Sequence, residues 1–99
     1  MKWDIQTVGF TATDELQSYV KDKVSHLSHF YDQIVGAEVY LKLVNAENGD
    51  NKVADIKLNI PGNDIMASSR SDKFEGSINE SIDKLKRQID KLKTKLAAR

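Results

Sequence analysis

The feature that most constrains this chain is a single apolar repeat near its C-terminus. Phe74, Ile78, Ile82, Leu85, Ile89, Leu92 and Leu96 follow one another at steps of four, four, three, four, three and four. At 3.6 residues per turn those positions form one continuous stripe, the signature of a long amphipathic helix. Asp72 followed by Glu75 has cap-and-return spacing, and Ser71 is an equally good cap. The predicted helix therefore runs from about residue 72 to 97. Gly76 weakens its first turns by ~1 kcal/mol relative to Ala. A stripe of this length must be buried against something, so the rest of the chain has to supply a surface.

That surface is legible as strands. Trp3, Ile5 and Thr7 alternate with polar neighbours, and Gly9 closes the run. Ala37, Val39, Leu41 and Leu43 alternate in the same way, starting from Gly36, as do Ala54, Ile56, Leu58 and Ile60. Asn48-Gly49-Asp50 separates these two runs, and Pro61-Gly62-Asn63 ends the second in a tight turn. Ile65, Ala67 and Ser69 form one face of a short fourth strand. An earlier helix is expected from Asp14 to Phe30. Thr13 serves as its cap, with acids in the first turn and an apolar stripe of Leu16, Tyr19, Val20, Val24, Leu27 and Phe30.

The order is β-α-β-β-β-α. Two striped helices and one apolar sheet face resolve most simply as a two-layer α+β sandwich, with a four-stranded sheet and both helices on one side. The first two strands, joined through a helix, should be parallel with a right-handed crossover. With 99 residues the chain is expected to be one domain, residues 1–99. A helix of that length spans roughly 39 Å, whereas a typical strand spans ~17–20 Å. The last turns, with Leu92 and Leu96, should overhang the sheet.

Charge is unevenly spread. The chain is formally neutral, yet residues 84–99 carry seven Lys and Arg against one acid, Asp90. A basic end on an acidic body points to nucleic acid or membrane, or simply to a solvated helix face. Taking Leu85 as the centre of the stripe, Lys73, Lys84, Lys91 and Lys95 fall at about −80° to −120°, along one flank. Gln88 sits between them and the stripe. Lys86 and Lys93 lie on the other flank, and Arg87 points away from the sheet. Lysines in a row can follow a phosphate backbone and Arg can grip a phosphate with two bonds; long stems that cover apolar edges are the plainer reading. On the first helix Lys23 falls inside the apolar stripe, with His26 at its edge. Arg70 precedes the last helix and can join Lys73. Tyr40 and Lys42 occupy the outer sheet face, where a single aromatic makes a poor stacking platform.

Other chemistries find little support. The chain lacks Cys, so disulfides and thiolate sites are excluded. It has no Gly-rich phosphate loop, nucleophile elbow or metalloprotease helix motif, and no carboxylate pair in an apolar setting. An enzyme, a cofactor and a small-molecule substrate are therefore not expected. His26 and His29 are three apart, but Asp22 is the only carboxylate near them on that face, and zinc usually takes three or four placed ligands. No metal is expected. The N-terminus lacks an apolar signal segment and no apolar run approaches the ~20 residues that span a bilayer. The expected compartment is the cytoplasm, without a membrane partner.

The stretch Asp83-Lys84-Leu85-Lys86-Arg87-Gln88-Ile89-Asp90-Lys91 resembles the D-K-L-x-R-Q-x-x-K motif of the bacterial ribosome hibernation-promoting factor and ribosome-associated inhibitor family (the sigma-54 modulation protein family), in its short form. Thr13, the run from Val20 through Lys23 to Leu27, Glu38-Val39-Tyr40-Leu41, Ile65-Met66-Ala67-Ser68 and Asp72 also fit. The resemblance covers nearly the whole chain. It implies a fold similar to double-stranded RNA-binding domains. It also implies binding to the small ribosomal subunit and its rRNA, in the channel used by mRNA and tRNA, with translation blocked under stress or in stationary phase. Long members carry a further C-terminal domain that pairs ribosomes, which a chain stopping at Arg99 would lack. By position, Lys84, Arg87, Lys91 and Lys95 match the RNA-facing basic positions of the last helix. Lys23 matches one on the first helix, and His26 stands where the family often has Lys. The chain departs from the pattern at Lys73, Glu75 and Gly76, where Met, Ala and Ala are more usual. The alternative is a protein-interaction module, because the four-three spacing of the last helix is also a heptad seam.

Overall fold

Alternation with a period of two builds four strands, β1 (Lys2–Val8), β2 (Gly36–Leu43), β3 (Lys52–Asn59) and β4 (Ile65–Ser71), and the two striped segments form α1 (Asp14–Phe30) and α2 (Phe74–Ala97). The structure, a computed structural model, describes residues 2–97, with side chains through residue 94. The sheet order is β1-β2-β3-β4. β1 and β2 are parallel, joined through α1. The pairs β2–β3 and β3–β4 are antiparallel. Registry places Val39 opposite Ile56, and Ile56 opposite Ala67, so one face of the sheet is apolar across its width.

Local chemistry accounts for the boundaries. Thr13 caps α1: its Oγ1 accepts from the Leu16 N–H at 3.1 Å, which satisfies one of the orphan donors of the first turn. At the other end the Tyr31 N–H donates to the Leu27 carbonyl at 2.9 Å. Between β3 and β4 the Asn63 N–H donates to the Ile60 carbonyl at 3.1 Å. Pro61 pre-sets the first central residue of that turn, and Gly62 takes the positive φ of 89° required at the second.

The core lies between the sheet and the helices. Leu16, Val20, Val24 and Leu27 of α1 and Phe74, Ile78, Ile82, Leu85 and Ile89 of α2 close over Val39, Leu41, Ile56 and Leu58. The heptad-like seam of α2 is thus consumed inside its own chain as far as Ile89. Leu92 is half-buried against the same core, and the ring of Phe30 at the end of α1 carries the Lys93 ammonium 4.1 Å above its centre. The expected overhang thus has α1 beside it. The molecule's longest axis is 47 Å, in keeping with a helix longer than the strands it covers. Leu96 and Lys95 fall outside the described side chains.

The start of α2 differs from the expectation. The helix begins at Phe74 rather than Asp72. Ser71 organises the entry: its Oγ accepts from the Lys73 N–H at 3.3 Å, donates to the Lys73 carbonyl at 2.6 Å, and lies 3.0 Å from Ser77 Oγ. Gly76 is part of this arrangement, since a Cβ there would stand 2.8 Å from Ser71 Oγ. The helix-weakening glycine makes room for the serine that shapes the turn. Ser77 and Ser81 are fully buried. Their hydroxyls donate to the carbonyls of Lys52 (2.6 Å) and Ala54 (2.8 Å) on β3. These two hydroxyls are thus satisfied at the helix–sheet contact, as most buried polar groups are.

Candidate nucleic-acid interface

Two lysines on the central strands of the outer sheet face are ion-paired, and the helix cations are not among the described residues. On the outer sheet face, Lys42 Nζ lies 2.9 Å from Asp55 Oδ2. Lys57 Nζ lies 3.7 Å from Glu38 Oε2 and 3.6 Å from Asp64 Oδ2. Ser68 Oγ donates to Asp55 Oδ1, and Tyr40 OH donates to Glu38 Oε1 at 3.3 Å. Burial pushes the Asp55 carboxyl up, but the Ser68 hydroxyl and the Lys42 ammonium outweigh it and hold the group below its ordinary value. Tyr40 and Lys42 are therefore tied within the sheet face.

On the helical side, no Lys or Arg of α1 or α2 stands in an ion pair among the described residues. Several lie instead on aromatic rings. Lys23 Nζ is 5.5 Å from the Tyr19 ring, Lys21 Nζ is 5.7 Å from Trp3, and Lys93 takes Phe30. A cation over a ring keeps its stem down and its charge near the surface. The spacing of four between Tyr19 and Lys23 is a readable helix-neighbour signal; the Trp3–Lys21 and Phe30–Lys93 pairs join separate elements and have no local signature.

Most of the candidate residues fall into two grooves. Between α1 and α2, Lys23, His26 and Lys86 line a groove of about 330 Å³, together with Asn79 and Asp83. Tyr19 OH donates to Asn79 Oδ1 at 2.8 Å and fastens the helices beside it. Between α2 and β4, Arg70 and Lys84 line a second groove of about 350 Å³, shared with Glu80. Here Lys84 Nζ donates to the Ser68 carbonyl at 2.7 Å, and Gln88 Nε2 donates to the Met66 carbonyl at 2.9 Å. Arg87 and Lys91 are exposed on α2, and Lys73 is exposed just before its first turn. At 1.5 Å per residue, Lys84 and Lys91 stand roughly 10 Å apart along the helix. Lys95 belongs to α2, but its side chain lies outside the described residues. The arrangement is a helix ridge with cations on both flanks, interrupted by Glu80, Asp83 and Asp90. It offers point charges to a polyanion. Among the described residues, no three His, Cys, Asp or Glu side chains gather as a metal cage, and no helix is long and apolar enough to cross a membrane.

Comparison with known proteins gives one consistent family. The profile described as Sigma 54 modulation protein / S30EA ribosomal protein matches residues 3–97. A ribosome hibernation promotion factor of Deinococcus radiodurans is 34% identical over 84% of this chain and 44% of its own length. One from Staphylococcus aureus is 23% identical over 97% of this chain and 50% of its own. The chain thus spans about half the length of these curated relatives. Two solved structures share the fold. A ribosomal subunit interface protein from Coxiella burnetii has TM-score 0.80 at 21% identity, covering 95% of this chain and 99% of that one. The N-terminal domain of Thermus thermophilus Protein Y has TM-score 0.77 at 20% identity, covering 93% and 99%. With its profile matched over almost every residue and its fold shared, this chain belongs to the Sigma 54 modulation protein / S30EA ribosomal protein family.

Proposed function

We propose that this chain is a ribosome hibernation factor. It docks the helical side on the rRNA of the small ribosomal subunit, within the channel used by mRNA and tRNA, and so holds translation silent in the cytoplasm. The reaction is occlusion, without catalysis. Residues 1–99 would act as one ribosome-binding unit. The observation that carries the reading is the division of charge. Lys42 and Lys57 on the central strands of the outer sheet face are paired with carboxylates, while the cations of α1 and α2 have no ion-pair partner among the described residues. A cation already paired gains little from a phosphate; an unpaired one releases counterions from the RNA when it binds. Family membership and relatives named ribosome hibernation promotion factor point the same way. Dimerisation through the seam of α2 is the weaker reading, because the seam residues through Ile89 are buried in the core.

The test is co-sedimentation with small ribosomal subunits at about 50 and 200 mM salt, with a Lys86/Arg87/Lys91→Ala variant alongside. If about six phosphate contacts form, affinity falls ~10³-fold or more across that range, and the variant binds weakly at either salt. Absence of wild-type binding at low salt would overturn the proposal.

A further inference from the structure

His26 is the one side chain in the α1–α2 groove whose type ordinarily changes charge between pH 5 and 8. Charged neighbours come to it from both helices. From α1, Lys23 and Asp22 lie one turn before it and His29 one turn after it. From α2, Asp83 and Lys86 line the same groove. The fixed charges around the imidazole are thus two cations and two carboxylates, which oppose each other. The ring is exposed, so an incoming ligand can reach it directly. Lys23 lies over Tyr19 at 5.5 Å, and Tyr19 is fastened to Asn79 across the groove at 2.8 Å. The groove that presents these cations is therefore held by contacts between both helices.

We propose that the α1–α2 groove seats an RNA phosphodiester whose binding is coupled to protonation of His26, so that this protein takes up a proton as it docks and holds its polyanion more tightly as pH falls. The inference rests on the ribosome-docking reading and adds a regulator to it. The physical reason is linkage. A phosphate in this groove adds a full negative charge and hydrogen-bond acceptors beside a ring that, when protonated, donates from both nitrogens. The bound state therefore favours the imidazolium over the free state. By reciprocity, the imidazolium favours the bound state. Each unit by which bound RNA raises the ring's pKa corresponds to about a tenfold gain in affinity once pH is below the free-state value.

The experiment measures affinity for small ribosomal subunits at pH 6.0 and 8.0 and fixed ionic strength, for wild type, His26→Lys, His26→Gln and His29→Gln. Calorimetry in two buffers of different ionisation heat reads proton uptake. Expected are wild-type binding up to about tenfold tighter at pH 6.0, net proton uptake, tight pH-independent binding by His26→Lys, weak pH-independent binding by His26→Gln, and unchanged pH dependence in His29→Gln. Equal wild-type affinity at both pH values overturns the coupling while leaving ribosome docking intact, as does full pH dependence in His26→Gln. Failure of every variant to bind at either pH overturns the docking reading and the coupling with it.

Discussion

Lys84 Nζ donates to the carbonyl of Ser68 at 2.7 Å, and one turn further along α2 the Gln88 amide donates to the carbonyl of Met66 at 2.9 Å. The geometry rests on a match of repeats. Four helical residues advance about 6 Å, and two strand residues advance about 6.7 Å. Side chains at positions i and i+4 of a helix can therefore meet alternate carbonyls of a strand lying beside it. β4 is an edge strand, and edges with free backbone groups invite pairing with other chains. Two residues of the basic motif thus shield an edge of the sheet. A Lys84/Gln88→Ala variant is expected to lose about 1–2 kcal/mol of stability and to self-associate with rising concentration. Urea unfolding and sedimentation velocity measure the two effects. An unchanged midpoint and a monomer at all concentrations would remove the edge role.

Asp55 supplies a second outcome. Its carboxylate is held by Ser68 and Lys42, and its folded pKa is lowered. A lowered folded value means that the ionised form is bound more tightly in the native state than in the unfolded chain. Its stabilisation is therefore complete above the ordinary carboxylate value and is lost as pH falls through the lowered one. Asp55→Asn removes that acid dependence and leaves Lys42 without its partner. Expected are a loss of about 1–3 kcal/mol at pH 7 and a flatter stability curve between pH 5 and pH 2 than the wild type. Equilibrium unfolding across pH reads both.

Ser81 tests the helix–sheet contact. It is fully buried, with its hydroxyl on the Ala54 carbonyl. Ser81→Ala keeps the size and removes the hydrogen bond, so a loss of about 1 kcal/mol is expected. Ser81→Val adds bulk where α2 approaches β3, and overpacking there costs about 1–3 kcal/mol. If the valine variant proved the more stable of the two, the closeness of this contact would be wrongly assigned.

These serines mark where sequence reading stops. α1 runs from Asp14 to Phe30 as its cap and stripe require, and four alternating runs became four strands with the first pair parallel. Those features depend on local periodicity and turn chemistry, which the chain carries openly. No apolar signal singles out Ser77 and Ser81, because burial of a hydroxyl depends on a carbonyl brought from β3. The same holds for the entry to α2, where the role of Gly76 appears only when Ser71 is placed against it. Of the candidate site, the flanks of α2 follow from its period, so the separation of Lys84 from Lys86 was legible. That Lys84 would meet an edge carbonyl and Lys86 would join Lys23 and His26 was not, since it depends on which element lies on each side of the helix.

The two-faced charge pattern makes a prediction that separates docking from general electrostatics. Lys57 on the outer sheet face is shared between Glu38 and Asp64, whereas Lys86 and Arg87 have no ion-pair partner among the described residues. Removing a lysine changes net charge equally in either place. Were binding governed by net charge, Lys57→Ala and Lys86→Ala would weaken it alike. If the helical side meets the phosphates, each of Lys86→Ala and Arg87→Ala reduces the slope of log affinity against log salt by roughly one, and Lys57→Ala leaves it unchanged. Titrations with small ribosomal subunits at four or five salt concentrations measure those slopes. Lys57→Ala should instead show a stability change within about 1 kcal/mol, as an exposed ion pair contributes little. A slope that drops for Lys57→Ala but not for Arg87→Ala would place the RNA on the sheet face and reverse the assignment.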